Sequence, residues 1–191
     1  DSLDSPKFLP FNDLNSGTHA TSNENFHFGM KMDFNFVQPK DGQVVHNGDT
    51  SDMVFTFNGD DDVWVFIDDV LVLDIGGTHQ SITGTINFAT GEVKVYYPDG
   101  QTVSKATTIY EAYQQAGYTS EQLNNIFTPT SNGNYIFKDY SNHTFDYFYF
   151  ERGAGGSNCQ MKFNIQTVPD GVIQVGKEIT QAVEPGFSDA K

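Results

Sequence analysis

Phe26, Phe28, Met30, Met32, Phe34 and Phe36 put a bulky apolar side chain at every second position without a break. A period of two lines all six along one face of an extended chain, whereas a helix, turning every ~3.6 residues, would scatter them. Such a segment has to be a half-buried strand, so the rest of the chain must supply a sheet and a second layer to cover it. Met53, Phe55 and Phe57 repeat the alternation, and Gln160 to Val168 repeats it again with Met161, Phe163, Ile165 and Thr167 on one face.

Between these strands lie two hairpin signals. Val63–Ile67 and Val70–Leu73 are separated only by Asp68-Asp69, the spacing of a type I′ turn, with Asp69 in a left-handed position where glycine is preferred. Both arms are apolar on both faces, which predicts a place at the sheet centre; Trp64 could stack on a sugar, but inside Val63–Ile67 it reads as core. Glu92–Tyr97 followed by Pro98-Asp99-Gly100 predicts the second hairpin. One helical signal follows: Ile109, Tyr113 and Ala116 share a helix face, Gly117 stands where a helix ends, and Thr119 with Gln122 has capping-box spacing for a short second helix through Phe127. Tyr135–Phe137 and Phe145–Phe150 then return to strand. The expectation is an all-β antiparallel sandwich of seven to nine strands, with a small helical insertion around residues 104–127.

Residues 1–170 are expected to form that domain, with Asp1–Asn25 a polar, turn-rich segment. Residues 171–191 change character, and Ile173–Thr180 reads as a linker or the first strand of a following domain, or else as a last strand of the same sandwich.

Seventeen Phe, nine Tyr and eighteen Gly suit such a fold. The 191 residues carry a net charge of −15, which repels phosphate backbones and anionic membranes and leaves neutral partners, divalent cations or simple solubility as its uses. No apolar run approaches the ~18–20 residues of a membrane span. Cys159 is the single cysteine, so no internal disulfide forms, and its alternation with Met161 and Phe163 predicts a small buried hydrophobe.

Two stretches could carry chemistry. Gly59-Asp60-Asp61-Asp62 sets three carboxylates side by side between apolar strands. Adjacent carboxylates repel unless a cation or backbone donors hold them, so the run is either a hard-oxygen calcium site or a solvated turn whose side chains cap amides. The loop Arg152-Gly153-Ala154-Gly155-Gly156-Ser157-Asn158 either completes such a site with carbonyls and the Asn158 amide oxygen, or is a flexible connection. His19, His27, His46, His79 and His143 lack metal-ligand spacing and read as turn or surface residues, and there is no Gly-x-Ser-x-Gly elbow. The chain is not expected to be an enzyme.

Phe26-His27-Phe28-Gly29-Met30, the string Phe57-Asn58-Gly59-Asp60-Asp61-Asp62-Val63-Trp64-Val65-Phe66-Ile67-Asp68, Leu73-Asp74-Ile75-Gly76-Gly77-Thr78-His79, and Phe150-Glu151-Arg152 with Ser157-Asn158 together resemble the fibro-slime branch of PA14 domains. The likeness covers most of residues 8–168 but not about 97–140, which reads as an insertion. It implies a PA14-type sandwich and, as in the lectins of yeast flocculins and bacterial adhesins, a calcium ion held by an Asp-Asp pair joined through a cis peptide. Carried onto this chain, the pair is Asp60-Asp61 and the second-loop ligand is Asn158, with Asp62, Ser157 and Gly156 as further candidates. His79 closes the third matching stretch and is a candidate for ligand contact. Sugar hydroxyls would complete the calcium shell. The expectation is therefore a secreted, calcium-dependent carbohydrate-binding module of a microbial cell-surface adhesin, a monomeric unit of a larger Gram-positive wall protein; Val175–Thr180 resembles the start of a pilin-like immunoglobulin domain. Its partners would be glycans, without nucleic acid or membrane insertion. The alternative is a structural or protein-binding spacer in which calcium only stiffens a loop.

Overall fold

A computed structural model describes residues 27–77, 79–152, 158–165 and 167–168. The order is β1 (Phe28–Val37), β2 (Gln43–His46), β3 (Asp49–Asp52), β4 (Val54–Gly59), β5 (Asp62–Ile67), β6 (Val70–Ile75), β7 (Ile82–Asn87), β8 (Glu92–Tyr96), β9 (Val103–Thr108), α1 (Ile109–Gln115), α2 (Ser120–Ile126), β10 (Phe127–Pro129), β11 (Tyr135–Phe137), β12 (Asn142–Glu151), β13 (Cys159–Phe163) and β14 (Thr167–Val168). Two five-stranded sheets, β14-β1-β12-β5-β6 and β13-β4-β7-β8-β9, face each other with all of their pairings antiparallel. The all-β sandwich with a small helical insertion is the observed architecture.

The alternating residues meet between the layers. Met53, Phe55, Phe57, Val63, Val65, Ile67, Phe145 and Tyr147 are all 0% exposed. Rings from opposite sheets touch across the interior, Phe55 with Phe145 at 5.1 Å between centroids and Phe57 with Tyr149 at 6.4 Å. Each such pair adds about 0.5–1.5 kcal/mol to the burial itself.

The β5–β6 turn is left-handed at both central residues, Asp68 with φ 49° and Asp69 with φ 64°, as a type I′ turn requires. The hairpin itself does not lie at the sheet centre. β6 is the outermost strand, and the apolar outer face of β5 is half open, so Trp64 is not core: Val63, Val65 and Ile67 are sealed inside, while Trp64 and Phe66 point out of the sandwich.

Strand β13 and strand β14 were a single strand by pattern. The chain instead changes sheets at residues 164–165, joining β4 on one layer and β1 on the other. Asn164 fixes the crossing, accepting from Val54 N at 2.7 Å and donating to the Asp52 carbonyl at 2.8 Å. Because β13 lies at a sheet edge, Cys159 is only half-buried and Phe163 is exposed.

The insertion starts with strand rather than helix: residues 103–108 form β9 on the second sheet, turned back from β8 by a loop in which Asp99 accepts from Gln101 N and Thr102 N. The capping box at Thr119 and Gln122 is formed, and a second one, Thr108 with Glu111, opens α1. Phe26, the 1–25 segment and the 171–191 boundary lie outside the described residues.

Candidate loop-tip site

Three connections cross from one sheet to the other at the same end of the sandwich. They are the two-residue link Asp60-Asp61 from β4 to β5, residues 76–81 from β6 to β7, and the segment from Arg152 to Asn158 between β12 and β13. An inter-sheet link of two residues demands a sharp turn, which Asp61 supplies at φ 64°; Asp is among the few non-glycine residues that tolerate this region.

The close approach of the first and third connections explains Gly59. Asp60 N donates to the Asn158 carbonyl at 3.0 Å, and a Cβ on Gly59 would lie 2.1 Å from that same oxygen. Asp60 and Asn158 are thus held together through backbone. The Asp60-Asp61 peptide is trans, since the described residues contain no cis peptide; the cis link implied by the family resemblance is not there.

The three carboxylates have separate fates. Asp62 is 5% exposed and taken up by Arg152, Nε to Oδ2 at 2.7 Å and Nη2 to Oδ1 at 2.9 Å, with Gly77 N donating to Oδ1 at 2.6 Å. Asp61, also 5% exposed, accepts from Arg152 N through Oδ2 at 2.6 Å. Asp60 accepts from Asp61 N through Oδ1 at 2.9 Å. Burial pushes the Asp60 carboxyl above its ordinary range, and the negative charge of Asp61 adds to the rise, while that amide bond and the nearby His79 oppose it. His79 shares Nδ1 with the Gln80 carbonyl at 2.9 Å, and its Nε2 is buried with no hydrogen-bond partner.

The structure therefore brings Asp60, Asp61, Asp62, His79 and Asn158 to one tip and commits Asp62 to Arg152. Gly156 and Ser157 lie outside the described residues. Among the described residues, no three His, Cys, Asp or Glu side chains stand close enough to hold a metal by themselves. The donors at hand, two carboxylates with an amide side chain and loop carbonyls, are the hard oxygens that calcium takes. They fit that ion in kind, with the remaining positions left to carbonyls, water or ligand.

The opposite end of the sandwich holds a network that sequence reasoning missed. His143 was read as a turn or surface residue but is 6% exposed, stacked on Phe137 at 3.8 Å and beside Phe36 at 5.4 Å. Its Nδ1 lies 2.6 Å from Asp68 Oδ2 and its Nε2 lies 2.6 Å from Ser141 Oγ. The order of atoms is that of an acyl-transfer triad. Here, however, Ser141 Oγ is also 2.6 Å from the Lys138 carbonyl, which accepts from Ser141 N as well. Asp68 further accepts from Thr144 N at 2.8 Å and from the Tyr113 hydroxyl at 3.0 Å. The array ties the β5–β6 turn, α1 and the start of β12 together. Its one legible signal was the two-residue Asp68-Asp69 turn, in which the sequence marked Asp69 and not Asp68 as left-handed.

No family model matches the chain, and no solved structure matches it. Curated proteins that it is similar to come from Dictyostelium discoideum. Protein psiF is 34% identical over 142 residues, 74% of this chain and 14% of psiF. Protein psiD is 49% identical over 63 residues, 33% of this chain and 10% of psiD. Protein psiI is 41% identical over 73 residues, 38% of this chain and 9% of psiI. The chain spans 14% or less of the length of these relatives.

Proposed function

We propose that the chain is a non-catalytic, extracellular carbohydrate-binding module of a cell-surface protein, assisted by calcium at the loop tip. The observation that carries this reading is the gathering of Asp60, Asp61 and Asn158 by two inter-sheet crossings, with the third carboxylate, Asp62, neutralised by Arg152. Asp60, Asp61 and Asn158 would hold the ion, and calcium bound there supplies coordination to vicinal sugar hydroxyls.

The chain's own residues prepare that site. The Arg152–Asp62 pair and the Arg152 N–H on Asp61 lock the β12–β13 crossing against the acidic turn. Gly59 lets the Asn158 backbone come close. The partly buried Asp60 carboxylate, whose charged form burial disfavours, gains from a cation more than a fully solvated one would. His79 Nε2 offers one more polar atom at the same tip. Single-site affinity in such an open arrangement is weak, and copies on a surface would raise it by avidity.

A glycan array probed in calcium and again in chelator tests the reading. Binding that needs calcium and is lost in Asp60→Ala supports it. Calcium-independent binding untouched by Asp60→Ala, or no glycan bound while calcium is, refutes the site; the latter result favours a spacer with a calcium-stiffened loop.

A further inference from the structure

The outer face of the sheet containing β1, β12, β5 and β6 carries aromatics where a sandwich needs none. Register sets them in rows: Gly29, Phe150 and Asp62; then Lys31, Phe148, Trp64 and Asp74; then Asp33, Asp146, Phe66 and Leu71. Rows on one face are about 7 Å apart along the strands. The first row ends at the Asp62–Arg152 ion pair, so the aromatic track begins at the loop tip and descends toward the Asp68-Asp69 turn. Trp64, Phe66, Phe148, Phe150, Leu71 and Lys31, with Asp69 and Asp146, line a depression of about 600 Å³. That volume falls within the ~300–1,000 Å³ of small-ligand sites.

The rings are set in advance. The Trp64 indole N–H donates to Asp74 Oδ1 at 2.9 Å, and Asp74 is itself held by Gly76 N at 3.1 Å. Phe150 lies over Gly29, where a Cβ would stand 2.8 Å from its ring. Trp64 meets Phe150 edge to face at 5.6 Å, and Phe66 meets Phe148 likewise at 5.8 Å. Lys31 reaches over Phe148 at 5.7 Å and pairs with Asp146 at 2.8 Å.

We propose that this track is a metal-free stacking groove for a neutral oligosaccharide, a second saccharide site beside the loop tip. The ligand class rests on the reading above; the site does not. Sugar rings present C–H faces that stack on aromatic rings, while their hydroxyls bond to flanking carboxylates and ammonium groups, and this groove offers both. Charge selects a neutral chain: Asp69, Asp74 and Asp146 outnumber Lys31 along the groove, and a net charge of −15 repels acidic polysaccharides. Area argues against a second copy. Of the five apolar lining residues only Leu71 at 39% and Phe150 at 40% are exposed and the other three are half-buried, which is little apolar surface for an interface that needs ~800 Å² per partner.

Trp64 is the chain's one tryptophan, so its emission reports on the groove directly. The test titrates the full chain with neutral hexasaccharides (cellohexaose, maltohexaose, mannohexaose and chitohexaose) in chelator, following Trp64 emission and acrylamide quenching. At least one should give a saturable shift with reduced quenching. Phe150→Ala and Gly29→Ala should each weaken binding by ~10-fold, the loss of a contact of about 1.4 kcal/mol. No shift with any of the four overturns the proposal. So does binding lost in Asp61→Asn but kept in Phe150→Ala, which would assign the sugar to the tip alone. Trp64 already shielded from acrylamide without sugar means that another part of the chain or a second copy covers the groove, and also overturns it. Failure of calcium-dependent binding in the array leaves this result readable, because the titration contains no calcium.

Discussion

Replacing Asp68 with alanine should remove the knot at the closed end of the sandwich. Four bonds end on that carboxylate: His143 Nδ1 at 2.6 Å, Thr144 N at 2.8 Å, the Tyr113 hydroxyl at 3.0 Å and, at the limit of 3.5 Å, the Thr144 hydroxyl. Their losses are unequal. Tyr113 keeps the Ile67 carbonyl at 3.1 Å, and Thr144 is exposed, so its amide turns to water. His143 is 6% exposed between Phe36 and Phe137 and finds no substitute. A carboxylate can only accept, so Nδ1 carries the hydrogen. Stranding a buried donor costs about 1–3 kcal/mol, on top of the bond to a charged group. Alanine at φ 49° adds about 1–2 kcal/mol of left-handed strain. Stranding and strain together come to about 2–5 kcal/mol, a large part of a typical domain's 5–15 kcal/mol. Asp68→Asn tolerates the backbone and keeps an acceptor for Thr144, so about 1–2 kcal/mol should go. Urea unfolding followed by far-ultraviolet circular dichroism measures both, and a double-mutant cycle with His143→Ala isolates the pair. A loss under ~1 kcal/mol for Asp68→Ala, or additivity with His143→Ala within ~0.5 kcal/mol, would refute the knot.

Three further outcomes follow from other parts of the structure. Hydrogen bonds from His143 and Thr144 outweigh the burial of Asp68 and hold its carboxyl below its ordinary range; its stabilisation is complete above the unfolded carboxylate pKa near ~3.9 and is lost as pH falls through the folded value. The stability gap between parent and Asp68→Asn should therefore close below about pH 4 in acid melts. Gly59→Ala should cost about 1–3 kcal/mol, by overpacking against the Asn158 carbonyl, and should weaken any calcium binding, both read by calcium-dependent thermal melts. Thr119→Ala should cost about 1 kcal/mol in urea by removing the oxygen that accepts from Gln122 N at 3.3 Å.

What the sequence disclosed was whatever local period or turn chemistry encodes. Phe55 and Phe57 reached the core because alternation leaves them no other face, and Asp68-Asp69 formed its turn because two residues between β-branched runs allow little else. Thr119 and Gln122 announced a cap by spacing alone. Position in the sheet was not encoded that way. An apolar outer face on β5 looks the same at the centre and next to an edge, which is why Trp64 read as core and lies half-buried on the outer face. The Arg152–Asp62 pair and the Asp68–His143 bond join residues 90 and 75 positions apart, and no local pattern marks them. At the tip, adjacency of Asp60 and Asp61 was visible, whereas the division of labour among three neighbouring carboxylates needed the loops that meet them.

Calorimetric titration of chelator-treated protein with calcium, alongside Asp61→Asn, is the most direct test of the loop-tip site. Asparagine keeps the left-handed turn at position 61 and removes one charge. The account predicts a single-site isotherm in the parent that is lost in the variant, with a rise in melting temperature confined to the parent. No heat and no change in melting temperature, or an isotherm that Asp61→Asn leaves unchanged, would contradict it.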